Sequence, residues 1–78
     1  MTKKPKGHDW DAKVKGLLKA ELKRREITYL QLAEKLATIG IAETPGNIAN
    51  KISRGKFTAV FLMQCLEVIG CQTIRLDE

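Results

Sequence analysis

The side chains best equipped for chemistry lie between Thr44 and Lys56, in the run Thr-Pro-Gly-Asn-Ile-Ala-Asn-Lys-Ile-Ser-Arg-Gly-Lys. At about 100° per residue on an α-helix, Asn47, Asn50, Lys51 and Arg54 share one stripe, while Ile48, Ala49 and Ile52 fall on roughly the opposite side. The stripe carries two amides, two cations and no acid. An Asn amide can pair bidentately with adenine in a major groove, and Arg or Lys with guanine. The same residues would also make an ordinary solvated helix face. The helix itself has explicit limits. Thr44 suits the N-cap, Pro45 the first helical position, and Gly55 the left-handed position just past the end.

The other reactive residue types do not form a catalytic or metal-binding pattern. Cys65 and Cys71 lack metal-ligand spacing, and the single histidine, His8, is remote from both. They read as buried thiols of a reducing compartment. There is no paired acid and base at helical spacing, no Gly-rich phosphate loop, and no nucleophile with a histidine in the folded part. The expectation is a protein that is not an enzyme, with no catalytic residue, no metal and no cofactor.

Seventy-eight residues suffice for one small domain, and the formal charge is +5. A chain this short is marginally stable alone and gains from self-association. The charge is uneven. Through Ile27 there are nine cations and four acids, from Thr28 to Lys56 four and two, and from Phe57 onward one and three. A basic N-terminal two-thirds favours a polyanion on one side of the molecule, although surface lysines also serve solubility. No apolar run is long enough to span a bilayer, and no apolar signal segment follows the basic N-terminus, so a cytoplasmic location is expected.

Four helices are expected to carry these residues. Residues 1–8 read as a flexible basic arm and residues 9–78 as the domain. Asp9 caps a first helix whose apolar face is Trp10, Val14, Leu17, Leu18 and Leu22, and whose end is the basic Lys23-Arg24-Arg25. Thr28 and Gln31 form a capping box for a second helix, with Leu32, Ala33, Leu36 and Ile39 on its apolar face and Gly40 at its end. Thr58 caps a fourth helix, Phe57 and Leu62 occupy hydrophobic-staple positions, and Gly70 ends it. That helix is apolar on most sides, which places it in the core or in an interface. Ile74 and Leu76 alternate with Thr73 and Arg75, as in a short strand. Such a segment either packs as an irregular tail or pairs with its copy across a two-fold axis. Leu62, Met63, Leu66 and Ile69 beside it suggest a homodimer.

Leu32-Ala33-Glu34-Lys35-Leu36, a Gly-containing turn, and Ile52-Ser53-Arg54-Gly55-Lys56 together resemble the core of the Cro and lambda-repressor-like (XRE-type) helix-turn-helix family. The stretch from Ile27 to Cys71 also resembles a small bacterial domain family of that general type. The resemblance implies an all-α helix-turn-helix bundle, here of four helices, to which the alternation at residues 73–76 adds a short C-terminal strand or extended tail. By motif it places Gly46, Asn47, Asn50, Lys51 and Arg54 toward bases, and Thr28 and Tyr29 toward phosphate. The chain departs from the family pattern in three places. Ala33 and Ile48 are fifteen residues apart, a longer connection than the family's short turn, with the second helix extended through Ala37-Thr38-Ile39. Ser53 stands where an acid is common. The usual fifth helix is replaced by the Ile74–Leu76 segment.

The expected function is therefore a sequence-specific regulator that binds double-stranded DNA as a dimer through residues 45–54. Lys56, just past that helix, is assigned to phosphate. The alternative is a protein-interaction module or partner subunit on the same scaffold. Non-specific RNA binding is a weaker third reading, because Phe57 and Phe61 read as core rather than as stacking platforms.

Overall fold

The computed structural model describes residues 9–76. It is all-helical, with α1 Trp10–Arg24, α2 Tyr29–Ala37, α3 Pro45–Arg54 and α4 Ala59–Val68. Each helix starts where a short polar side chain meets an orphan backbone N–H. Asp9 Oδ1 accepts from Ala12 N at 3.0 Å, and the Thr44 and Thr58 hydroxyls accept from Asn47 N and Phe61 N at 3.1 and 3.0 Å. At α2 both halves of the capping box form: Gln31 N donates to the Thr28 hydroxyl at 3.1 Å, and Thr28 N donates to Gln31 Oε1 at 2.9 Å.

Three of the four helices end in one device. Ile27 N donates to Leu22 O, Ile41 N to Leu36 O and Cys71 N to Leu66 O, each about one residue beyond an ordinary helical bond. The residue between helix and acceptor-matched apolar side chain is left-handed in each case: Glu26 at φ 57°, Gly40 at 81° and Gly70 at 78°. This is the Schellman arrangement, which satisfies terminal carbonyls and turns an apolar residue back onto the bundle. Glycine supplies that conformation at α2 and α4, whereas Glu26 adopts it against the steric preference of its Cβ. Because of this turn α2 stops at Ala37. Thr38 and Ile39, expected within the helix, lie in its closing turn, and Ile39 is exposed.

The core is built from Leu18 and Leu22 of α1, Leu32, Ala33 and Leu36 of α2, Ile48 and Ile52 of α3, and Phe61, Cys65 and Leu66 of α4, joined by Ile69 and Cys71. α3 packs on α2 and α1, and α2 packs on α4. Ala33, small and buried, sits on the helix that receives α3. Trp10 does not join the α1 core face and is mostly exposed. Leu66 and Ile69, expected to offer apolar surface to a second copy, are instead core residues of the single chain.

Residues 71–75 form no strand. They are the extended tail: the Cys71 thiol donates to Thr73 O at 3.2 Å, Ile74 packs against the core, and Lys13 Nζ donates to Leu76 O at 2.7 Å. Both cysteines are free and buried. Burial and the Glu43 carboxylate push the Cys65 thiol up to about 12, with Lys51 opposing, so it is protonated and inert near neutral pH. The basic arm expected at residues 1–8 lies outside the described residues.

At Gly55 the C-terminus of α3 meets the first turn of α1. A Cβ there would sit 2.9 Å from the Asp11 carbonyl carbon and closer still to its oxygen, and Gly55 has φ 67°. Gly55→Ala therefore combines a left-handed penalty with a backbone clash, and should cost about 2–4 kcal/mol in chemical denaturation. Glu26→Gly should do the opposite. Relief of the left-handed Cβ outweighs the added unfolded-state entropy, and the denaturation midpoint should rise by an amount corresponding to up to about 1 kcal/mol.

Candidate nucleic-acid interface

With Ile48 and Ile52 fully buried, the orientation of α3 about its axis is set. Gly46, Asn47, Asn50, Ser53 and Arg54 are exposed, and Ala49 and Lys51 lie at the two edges, half-buried. The structure thus brings four of the expected α3 residues, Gly46, Asn47, Asn50 and Arg54, onto one solvent face and adds Ser53. Its hydroxyl donates to Asn50 O at 3.1 Å. The backbones of Asn47 and Asn50 are engaged in the cap and in this bond, but among the described residues their side-chain amides have no partner.

Lys51 is placed differently from its neighbours on the stripe. Its ammonium pairs with the Glu43 carboxylate, which is nearly buried, and lies 4.7 Å from the centroid of the Phe61 ring. Phe61 in turn meets Phe57 edge-on, with centroids 5.6 Å apart. Lys51 therefore links the α2–α3 connection to α4, combining an ion pair with a cation–π contact. The helical wheel puts Lys51 at the margin of the polar stripe. Only the tertiary fold brings Glu43 to it.

Lys56 is exposed and forms a salt bridge to Asp11 Oδ2 at 2.6 Å. That hydrogen bond and the Asp11 charge hold its ammonium pKa above the usual lysine value. Both partners are solvent-accessible, so the pair is weak and exchangeable. Lys15 Nζ donates to Ser53 O at 3.1 Å, satisfying a carbonyl at the negative end of the α3 dipole.

At the other end of α1 the basic residues divide. Arg24 and Arg25 both pair with Glu21, which is buried, the Arg24 bond being 2.8 Å. Lys19 and Lys23 instead line a shallow depression of about 320 Å³ with Leu22, Ile27, Thr28 and Tyr29. Thr28 is exposed with its hydroxyl in the cap, and Tyr29 is half-buried with its ring against the core. Lys19 carried a sequence signal that motif reasoning passed over. Lys15, Lys19 and Lys23 recur every fourth residue and so form one row along α1, from the C-terminus of α3 to the N-terminus of α2.

The sequence matches the family described as Domain of unknown function (DUF6471) over residues 10–74. The chain belongs to this family. The match takes in all four helices and most of the tail. No curated protein and no solved structure matches the chain. Among the described residues no helix is long and apolar enough to cross a membrane, and no cluster of His, Cys, Asp or Glu is placed to hold a metal ion.

Glu21 gives this end of the domain a pH dependence. Burial opposes its ionisation, but the guanidinium groups of Arg25 and Arg24 outweigh that and hold its pKa below the usual carboxylate value of 4.5. A depressed carboxylate contributes stability above its unfolded pKa, and that contribution is lost as pH falls through the folded value. Glu21→Gln should therefore be about 1–2 kcal/mol less stable than the parent at pH 7, a figure discounted for the solvent exposure of Arg24. The gap should narrow as pH drops below 4.5, read from thermal or urea unfolding across a pH series.

Proposed function

We propose that this DUF6471 chain is a sequence-specific DNA-binding regulator that presents α3 to the major groove of duplex DNA. The observation that carries this reading is the outward face of α3, on which Gly46, Asn47, Asn50, Ser53 and Arg54 include no acid and the two amides have no partner among the described residues. A solvated amide pair has no structural duty in the bundle, and its donor–acceptor fork matches the major-groove edge of a base. Gly46 permits close backbone approach at the helix N-terminus.

Phosphate contacts fall to the surrounding cations. Lys19, Lys23, Thr28 and Tyr29 cluster at the N-terminus of α2, where the helix dipole favours an anion. Arg54 lies at the C-terminal end of α3, and Lys56 beyond it exchanges Asp11 for phosphate. The resemblance of the α2–α3 segment to XRE-type helix-turn-helix sequences points the same way. A dimer belongs to the same reading. Its contact surface is smaller than the sequence implied, centred on Val60 and Met63, exposed on α4, with Leu76 of the tail also exposed.

Anisotropy titrations on random and selected duplexes at several salt concentrations test this. The full chain should bind with a steep salt dependence, and the selected site should be two-fold symmetric if binding is dimeric. Lys56→Ala should weaken both duplexes alike and reduce the salt slope by roughly one. Absence of salt-dependent binding would sink the reading and leave the protein-interaction module in its place.

A further inference from the structure

The four polar residues of the α3 stripe do not have equal freedom, and this bears on which bases the helix can read. This step rests on the proposed DNA-binding function. Lys51 could specify guanine only by leaving the Glu43 carboxylate and the Phe61 ring. Glu43 is nearly buried, so that departure would strand a carboxylate with little access to water, a costly exchange. Asn47 and Asn50 give up nothing comparable, since only their backbones are engaged. They are three residues apart, a separation of about 4.5 Å along the helix axis, within reach of neighbouring base pairs. Between them and the C-terminus of α3 the outward face carries one cation, Arg54, and no acid.

We infer that α3 is an adenine reader: Asn47 and Asn50 make the base-specifying contacts, each amide bridging N6 and N7 of an adenine, while Lys51 is a positioning residue that braces α3 against Glu43 and Phe61. The target is therefore duplex DNA with A·T pairs at the two positions beneath the N-terminal half of α3. Lys51 sets the angle of the helix without choosing a base.

The test begins with selection from a random-sequence duplex pool by the full chain. Adenines fixed by selection are then replaced, one at a time, by 7-deazaadenine, which keeps Watson–Crick pairing and removes the N7 acceptor. Each replacement should lower affinity by up to about tenfold, because it removes the N7 half of the bidentate contact and leaves the N6 bond. Asn50→Ala, which removes both bonds, should lose at least as much affinity on the unmodified site and should then be indifferent to one of the two replacements. Lys51→Met retains the apolar stem, and its fold is monitored by far-UV circular dichroism. It should leave the selected sequence unchanged while Lys51→Arg, which can keep the Glu43 pair, restores parental affinity. Tight binding that ignores 7-deazaadenine, or a guanine preference that disappears in Lys51→Met, overturns the adenine assignment and leaves DNA binding standing. No salt-dependent DNA binding at all overturns both.

Discussion

The close approach of α1 to the end of α3 is the constraint on which the candidate interface depends. Gly55 leaves no room for a side chain against the Asp11 carbonyl, and its left-handed backbone turns the chain out of α3 at that point. Two polar contacts close over the same junction, Lys15 on the Ser53 carbonyl and Lys56 on the Asp11 carboxylate. Neither surface bond contributes much on its own. Their position matters more: they hold the C-terminal end of α3 while Ile48 and Ile52 hold its length.

The other edge of α3 is held by different physics. The Glu43–Lys51 pair is partly withdrawn from water, and the Phe61 ring gives the ammonium a second partner. The connection between α2 and α3, residues 38–44, is long but not loose. Ile41 is turned onto the core by the Schellman bond to Leu36, and Glu43 is tied to α3 through Lys51. A long connection anchored at both an apolar and a charged point can present a helix as firmly as a short one.

The distribution of charge follows from which acids the fold pairs with cations. Glu21 takes two arginines, Glu43 takes Lys51 and Asp11 takes Lys56. The sequence excess of cations is thus sorted into structural pairs and a remaining surface, with Lys19, Lys23 and Arg54 exposed.

The sequence by itself determined the helix starts, because a capping Ser, Thr or Asp acts on an N–H two or three residues away and needs nothing else from the fold. Asp9, Thr28, Thr44 and Thr58 all act in this way. It also determined which side of α3 is buried, since the spacing of Ile48 and Ile52 leaves one docking face. The left-handed turn at Glu26 has no mark in the local sequence, because Gly or Asn signals that conformation and here the bond from Ile27 to Leu22 imposes it on a glutamate. Only the tertiary structure decided the fate of the charges. Lys51 and Glu43 are eight residues apart and Lys56 and Asp11 forty-five, and their pairing depends on how the helices cross. The same crossing buried Leu66 and Ile69 within one chain and left Val60 and Met63 outside. Periodicity shows that α4 is apolar on most sides, but the positions of the neighbouring helices decide which of those sides are covered.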